Sequence, residues 1–272
     1  MLICQISDLH VRAPGELAYR QVDTAGFVRR CVSHILAQRL LPDVVVITGD
    51  LVDRGQPDEY RHLAALLAPL TMPVYLIPGN HDERSSLRAA FPAHQYLNAG
   101  GEFLNYAVSL GPLQLIGLDS VVPGEGGGLL CADRLRWLEE RLDAFQGAPT
   151  IILMHHPPFE TGVSHMDRVG LRLDYPLEPI IRRHSNVERI LCGHLHRTIF
   201  KRFGGTIAAT CPSPAHQVVL DFIPDAPSQF AMEPPGYLLH RWNAGQGMTS
   251  YGVSIGDYEG PYPFYEGGKL ID

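Results

Sequence analysis

Five short polar motifs, each following a run of apolar residues, contain most of the side chains of this sequence that could do chemistry. They are Asp8-Leu9-His10, Gly49-Asp50, Gly79-Asn80-His81-Asp82, His155-His156 and Gly193-His194-Leu195-His196. Together they supply carboxylates, one amide and several imidazoles, which are ligands suited to Mn, Fe, Co or Zn. The motifs therefore predict a site for two divalent metal ions. Asp50, a carboxylate in the middle of the set, is the natural bridge between the two ions.

The apolar runs before the motifs predict the strands that position them. Near-continuous Val, Ile and Leu is typical of strands buried on both faces. Ligand sites in α/β sheets lie beyond the carboxyl ends of the strands, so one sheet edge could gather all five motifs. In an extended segment, alternation also sends Asp8 and His10 to the same side, and the same holds for the last motif. We expect strands at Leu2–Ile6, Asp43–Ile47, Val74–Ile77, Leu113–Leu118, Thr150–Met154, Arg189–Cys192 and Gly236–Trp242.

Apolar residues at helical spacing between these strands predict helices at Ala25–Leu41, Asp58–Ala68 and Asp133–Phe145. Alternating strands and helices imply a layered α/β domain with helices covering the sheet. We expect a core at residues 1–220 and a C-terminal segment at residues 221–272, where prolines, glycines and tyrosines become frequent. This segment is either a loop-rich tail packed on the core or a cap or subunit contact. The aromatic side chains of the segment favour a cap or subunit contact, because they are costly to leave in water. They are Tyr258, Tyr262, Phe264 and Tyr265.

Composition excludes several classes of protein. With 272 residues, 45% of them hydrophobic and 19% charged, the chain does not read as disordered. The net charge of −7 gives no general attraction to nucleic acid or to anionic membranes, so we expect neither as a partner. The five cysteines are odd in number and include no Cys-x-x-Cys pair, which indicates reduced thiols. No signal-peptide pattern precedes the first strand and no apolar run could span a bilayer, so we expect a cytoplasmic protein.

The five motifs resemble those of the calcineurin-like metallophosphoesterase superfamily over residues 7–196, where they read SDLH, GDLVDRG, GNHD, MHHPP and GHLH. Within it, the chain is similar to the bacterial class III cyclic-nucleotide phosphodiesterases and, more closely, to the glycerophosphodiesterase branch. YLIPGNHD, MHHPP, the segment Pro212–His216 followed by Gln217-Val218, and the Pro- and Tyr-rich tail carry the closer likeness. The resemblance implies a sandwich of two facing mixed β-sheets flanked by helices.

The resemblance also implies roles for the motif residues. It implies Asp8, His10, Asp50 and His196 on one metal ion, and Asp50, Asn80, His155 and His194 on the other. His81 would lie beside the phosphate as a donor to an oxygen or to the leaving group, and His216 matches a pocket histidine of the branch. Asn80 and His156 join these two histidines as expected substrate contacts.

The motif GDLVDRG also resembles the serine/threonine phosphatases, where the arginine contacts phosphate and the second aspartate orients the motif histidine. The corresponding residues are Arg54, a further candidate for substrate binding, and Asp53. Asp82 has two alternative roles: a turn residue that caps the next segment, or a catalytic residue.

These patterns together predict a metal-dependent phosphodiesterase in which a metal-bound hydroxide attacks phosphorus while Asp50, His81 and His216 assist. The expected substrates are small phosphodiesters, either glycerophosphodiesters or 3',5'-cyclic nucleotides. A phosphomonoesterase similar to the protein phosphatases is the first alternative, and a metal-binding interaction module without catalysis is the second. We expect a homo-oligomer, either a dimer or a multiple of dimers.

Overall fold

Strands and helices alternate through most of the chain in a computed structural model that describes residues 1–98, 101–145 and 147–271. The helices are α1 (Thr24–Leu36), α2 (Pro57–Leu67), α3 (Arg84–Ala90), α4 (Ala132–Ala144), α5 (Ser164–Asp167) and α6 (Leu177–Arg183), with a 3-10 turn at Gln95–Asn98. The strands are β1 (Leu2–Ile6), β2 (Val44–Thr48), β3 (Val74–Ile77), β4 (Tyr106–Leu110), β5 (Leu113–Leu118), β6 (Gly128–Leu130), β7 (Thr150–Met154), β8 (Leu171–Leu173), β9 (Val187–Cys192), β10 (Ile199–Phe203), β11 (Thr206–Thr210), β12 (Gln217–Val218), β13 (Phe230–Ala231), β14 (Gly236–Asn243), β15 (Gly247–Ser254), β16 (Tyr265–Glu266) and β17 (Lys269–Leu270).

Two mixed sheets form the centre of the fold, as the family resemblance implies. The first has the order β15-β14-β1-β2-β3, in which β1, β2 and β3 are parallel and β14 runs antiparallel to β1. The second has the order β10-β11-β9-β7-β5-β4, with β11, β9, β7 and β5 parallel. The strands that precede the five polar motifs are all in the parallel parts of the sheets.

The two sheets pack face to face with helices on their outer faces. Residues such as Ile3 on β1 and Leu153 on β7 meet in the apolar layer between the sheets. Alternate residues of the same strands point outward, so Ile6 packs under α1, α2 and α3 while Met154 packs under α4 and α6. Both faces of each central strand are therefore buried, which explains why these strands read as continuous apolar runs.

The helix ends follow from local capping. Asp23 accepts a hydrogen bond from the Gly26 N–H and starts α1, and Pro57 occupies the first turn of α2. The predicted end of the first helix at Leu41 is wrong, because α1 stops at Leu36. Pro42 disfavours helical conformation at the residue before it, and the chain must turn to enter β2 at Val44.

The C-terminal segment contributes to the first sheet before it leaves the body of the protein. β14 pairs with β1 and with β15, so the strand predicted at Gly236–Trp242 is confirmed. From Gly256 onward the described residues are all exposed, including the hairpin of β16 and β17. No helix within residues 1–98, 101–145 and 147–271 is long and apolar enough to cross a membrane.

Candidate metal centre

The motif residues meet where the carboxyl ends of the parallel strands of both sheets converge. Their backbone is not extended there, so the expectation that alternation aligns Asp8 with His10 is wrong in its premise. The left-handed region costs a non-glycine residue about 1–3 kcal/mol and occurs preferentially at functional sites. Positive φ values turn these side chains toward a common point instead, at Asp8 (56°), His10 (45°), Asp50 (48°), His194 (70°) and His196 (51°).

Two glycines make this convergence possible. Gly49 has a φ of +92°, and a Cβ there would also lie 2.4 Å from Nδ1 of His155. A Cβ on Gly79 would lie 2.2 Å from both the backbone nitrogen and Oδ1 of Asp50. The glycines beside the motif residues therefore let three loops approach closely.

The first cluster consists of Asp8, His10, Asp50 and His196, all buried, with ligand atoms within 4.8 Å of one another. Nδ1 of His196 donates to the carbonyl of His216 at 3.0 Å, which leaves the lone pair of Nε2 free. That Nε2 lies 3.1 Å from Nε2 of His10 and 3.8 Å from Oδ1 of Asp8.

The second cluster consists of Asn80, His155 and His194. Nδ1 of His155 donates to the Thr48 carbonyl at 2.8 Å, and Nε2 of His194 donates to the Val169 carbonyl at 3.1 Å. The other nitrogen of each ring then faces Oδ1 of Asn80, at 3.1 Å for His155 and 3.0 Å for His194. A carbonyl partner behind each ring is the arrangement that fixes the tautomer of metal-ligating histidines.

Asp50 joins the two clusters through one oxygen. Oδ2 lies 3.5 Å from Nε2 of His10 and 3.3 Å from Nε2 of His155. Burial acts to raise the pKa of Asp50, but His155 and His81 hold it well below its usual range, so the carboxylate is charged. Oδ2 is therefore placed to serve both clusters.

The donor set fits two divalent cations. Ligand atoms converge in both clusters, and Oδ2 of buried Asp8 has no hydrogen-bond partner. An unpaired buried carboxylate oxygen is costly unless a cation lies beside it. Two ligand atoms about 2.0–2.2 Å from one ion, at angles near 90–110°, lie about 2.8–3.6 Å apart. Most of the contacts above have this spacing.

His81 lies beside the first cluster but is oriented by other contacts. Its backbone N–H donates to Oδ1 of Asp50 at 3.0 Å, and its Nδ1 donates to the carbonyl of Asp53 at 2.7 Å. The ring nitrogen Nε2 is left free, in a side chain that is one-third exposed. Burial acts to lower the pKa of His81, but Asp50 and Asp53 raise it above its usual value overall.

A cavity of about 410 Å³ opens over both clusters. His81 and His216 line it, together with aromatic and polar residues from three loops. His216 lies with its ring centroid 4.7 Å from that of His196, and its buried Nδ1 has no hydrogen-bond partner. Burial lowers the pKa of His216 to about 3, so this ring is neutral at physiological pH.

The calcineurin-like phosphoesterase family matches residues 1–198, which contain all five motifs. The chain belongs to this family. A probable glycerophosphodiester phosphodiesterase of Arcobacter nitrofigilis is 38% identical over 274 residues, with 100% of both chains covered. The 3',5'-cyclic adenosine monophosphate phosphodiesterase of Pseudomonas aeruginosa is 29% identical and covers 89% of this chain and 84% of its own.

A dimetal phosphatase from Danio rerio has the same fold, with a TM-score of 0.63, 16% identity, and 94% and 99% of the two chains covered. The family and the relatives show that the chain is a metal-dependent phosphodiesterase. Its histidine and aspartate clusters fit a binuclear divalent metal centre.

The structure places the other residues predicted for this phosphodiesterase at differing distances from the cavity. His156 is buried next to the second cluster, where Nε2 donates to the Gly126 carbonyl at 3.2 Å and Nδ1 accepts from Ser120 at 2.8 Å. Arg54 is exposed and is not among the described residues that line the cavity. Asp82 is buried, and its carboxylate accepts from the backbone of Leu51 and Gly79, at 3.0 and 2.8 Å. These contacts favour the turn role, although the side chain that caps α3 is Glu83.

Most of the cavity wall has no recognisable pattern in the sequence. Tyr19 and Phe230 make edge contacts with His216, with ring centroids 5.2 Å from it in both cases. Ser228 and Gln229, in the loop before β13, and Met166 on α5 also line the cavity outside the motifs. The only signal for Tyr19 is an aromatic residue in a polar loop between β1 and α1, which is weak evidence for a site.

Proposed function

We propose that this phosphodiesterase hydrolyses glycerophosphodiesters, whose leaving alcohol is small and polar. The observation that carries the proposal is the lining of the cavity: none of its described residues is a lysine or an arginine. A phosphate diester carries one negative charge and a monoester nearly two, so a monoester site usually adds cationic side chains beyond the metal ions. Ser228, Gln229 and Tyr19 offer neutral polar groups for an alcohol instead.

Two arginines near the motifs, Arg54 and Arg84, do not alter this picture. Arg84 is held by Asp119 through two hydrogen bonds of 2.7 and 3.1 Å and by the Val121 carbonyl at 2.8 Å. Arg54, the residue that resembles a phosphatase arginine, would need to swing from its exposed position to reach phosphate. The phosphomonoesterase alternative therefore depends on a side-chain movement that the diesterase proposal does not require.

We propose that Asp8, His10, Asp50 and His196 hold one ion, and that Asp50, Asn80, His155 and His194 hold the other. The distances between facing ligand atoms and the shared position of Oδ2 of Asp50 support this division. Imidazole and carboxylate ligands without thiolate favour Mn, Fe, Co or Zn. Ions bound here supply Lewis-acid polarisation of the phosphoryl oxygens and make water nucleophilic near neutral pH.

The side chains around the ions then have separate tasks. The raised pKa of His81 favours its imidazolium form, in which Nδ1–H is held by the Asp53 carbonyl and Nε2–H gives its proton to the leaving oxygen. Neutral His216 lines the cavity beside His196 and contacts the substrate there. His156 uses both ring nitrogens within the protein, so its contribution is to hold the Gly126 loop against the substrate rather than to bind an ion.

The substrate proposal is tested by comparing esters on the purified enzyme with Mn or Co supplied at neutral pH. We expect kcat/KM to be higher for bis(p-nitrophenyl) phosphate than for p-nitrophenyl phosphate, and higher for glycerophosphoethanolamine than for 3',5'-cyclic AMP. A clear preference for the monoester would instead support the phosphatase alternative, and Arg54→Ala would then be the first variant to assay. A preference for cyclic AMP would keep the diesterase but replace its substrate.

We further propose that the enzyme is cytoplasmic and oligomeric. Its five cysteines are free and four of them are buried, which suits a reducing compartment. Exposed aromatic residues of the C-terminal segment, such as Phe264 at 80% exposure, support a subunit contact. The net charge of −7 argues against nucleic-acid polymers and anionic membranes as partners.

A further inference from the structure

Arg12 is a buried cation that the proposed chemistry does not use. The residue is 4% exposed and lies two positions after His10, outside the cavity lining. Its Nη1 donates to Oδ2 of Asp53 at 3.2 Å and to Oε1 of Glu59 at 3.1 Å, while Nη2 contacts Glu16. A buried guanidinium with three carboxylates around it is a costly arrangement that calls for a reason beyond stability.

Asp53 connects this cation to the metal centre. The same carboxylate that receives Nη1 of Arg12 through Oδ2 places Oδ1 3.4 Å from Nδ1 of His10. The carbonyl of Asp53 accepts the hydrogen bond from Nδ1 of His81. One residue therefore stands behind both a proposed metal ligand and the proposed proton donor.

Glu59 holds the other side of the arrangement. It is 2% exposed, and its Oε2 accepts from the backbone N–H groups of Arg54 and Gln56, at 2.9 and 3.2 Å. Arg12 thus ties α2, which carries Glu59, to the loop that carries Asp53. The backbone of Asp53 is also tied to the loop after β1, because its N–H donates to the Val11 carbonyl at 3.2 Å.

We propose that Arg12 is a positioning residue of the metal centre: acting through Asp53, it fixes the orientation of the His10 and His81 rings without touching metal or substrate. A planar guanidinium can hold several carboxylates in fixed directions, whereas a lysine ammonium cannot reproduce that geometry. The inference rests on the proposed roles of His10 and His81. It does not depend on which diester is the natural substrate.

The first test replaces Arg12 in the full-length metal-loaded enzyme. Outer partners of metal ligands typically contribute about 10–100-fold in metal affinity or activity. We expect Arg12→Met to lower kcat for bis(p-nitrophenyl) phosphate by about that factor with KM little changed, and to lose metal more readily on dialysis. Arg12→Lys should recover stability but only part of kcat, and it serves if Arg12→Met does not fold.

Arg88→Met is the matched control. Arg88 is a partly buried arginine of α3 that donates to the carbonyls of Leu97, Gly101 and Phe103, and neither it nor these partners are among the described residues that line the cavity. Its loss should lower thermal stability while kcat and metal content stay at the wild-type values. If Arg12→Met resembled this control, with kcat and metal content unchanged after correction for unfolded protein, the proposal would be overturned.

A double-mutant cycle decides whether Arg12 acts through Asp53. Asp53→Asn removes the charge but keeps the backbone carbonyl that receives His81. Residues that act as one unit give non-additive losses, so the variant carrying both Arg12→Met and Asp53→Asn should be about as slow as the slower single variant. Fully additive losses would show that Arg12 acts by another route. The wild-type enzyme's own metal content and diester turnover report separately on the proposed function.

Discussion

At the scale of single residues, the metal centre depends on which ring nitrogen of each histidine carries its proton. Carbonyls of Thr48, Val169 and His216 each accept from one nitrogen of a cluster histidine. The other nitrogen of each ring therefore points inward, toward the two clusters. Burial raises the pKa of Asp8 above its usual value, because the same enclosure isolates a carboxylate from water. A bound cation would be coordinated by the inward ring nitrogens and would lower the pKa of Asp8 again.

Asp50 and Asn80 should differ in their effect on metal content. Asp50→Ala removes the oxygen shared by both clusters, so we expect loss of at least one ion and a fall in turnover beyond the ~100-fold typical of outer partners. Asn80→Ala should spare the first ion and weaken only the second. Metal analysis by mass spectrometry after dialysis measures both. Near-normal turnover with two bound ions in Asp50→Ala would falsify the shared-carboxylate arrangement, and equal loss of both ions in Asn80→Ala would refute the proposed division.

His81 should behave as a proton donor rather than a ligand. Its free Nε2 faces the cavity while Nδ1 is held by Asp53. We expect His81→Ala to reduce kcat for a diester by about 10²–10⁴-fold while metal content stays near two ions. With a substrate that has a better leaving group, the ratio of wild-type to His81→Ala kcat should be smaller, because the leaving oxygen then needs less protonation. The assignment fails if the variant loses an ion, because His81 would then be a ligand.

The sequence predicts which residues form the metal centre but not the backbone conformation that brings them together. Motif chemistry is visible because carboxylates and imidazoles recur after apolar runs. The positive φ of Asp8 and His10 is not visible, since it depends on loops from two sheets pressing together. Arg12 and Tyr19 were not identified either, because a single arginine or tyrosine in a loop has no pattern until the fold supplies its neighbours.

At the scale of elements, the buried strands could be predicted and several others could not. β1, β3, β5 and β7 have the bounds that their apolar runs predict. β10 and β6 could not be predicted, because β10 is mostly exposed and β6 lies in a glycine-rich segment, and neither has a continuous apolar pattern. Their pairing is decided by the neighbouring strand rather than by their own residues.

β14 introduces a buried histidine whose ionisation should make the fold sensitive to acid. His240 is fully buried, with Nδ1 2.8 Å from Ser250 and Nε2 3.1 Å from Oε1 of Gln5 on β1. Burial, together with Arg189, lowers its pKa to about 3 from the ordinary 6.5. The unfolded chain therefore binds a proton below pH 6.5 that the folded protein does not. His240 favours folding above that pH, and this contribution is lost as the pH falls from 6.5 toward 3.

His240→Gln, which keeps a polar group at this position, should reduce the acid sensitivity. One such proton changes the free energy of unfolding by at most about 1.4 kcal/mol per pH unit. We expect urea titrations at several pH values between 6.5 and 4.5, at a fixed metal concentration, to show that the free energy of unfolding falls less steeply with pH in the variant than in the wild-type protein. Between pH 7 and 8 the free energy of unfolding should change with pH equally in the two proteins. Identical slopes in the acid range would mean that His240 is protonated in the folded protein.

At the scale of the whole molecule, the described C-terminal tail exposes the aromatic side chains on which the proposed subunit contact rests. Tyr258, Tyr262, Phe264 and Tyr265 are 65%, 71%, 80% and 64% exposed. The hairpin of β16 and β17 turns through Gly267 and Gly268, both with positive φ, and all its residues are exposed. An isolated two-stranded hairpin is marginally stable in water, so contact with another surface would stabilise it.

Removing the tail should therefore change the assembly. We expect light scattering to give a dimer or a multiple of a dimer for the full-length chain, and a smaller mass or altered substrate preference after deletion of residues 257–272. The doubly substituted variant Tyr262→Ser with Phe264→Ser keeps the chain length and removes two exposed aromatic side chains, so it should weaken the assembly in the same direction. The catalytic clusters lie in the body of the fold, so metal content should not change. If both variants kept the wild-type mass and kinetics, the tail would form no subunit contact, because exposed aromatic side chains without a partner do not stabilise an assembly.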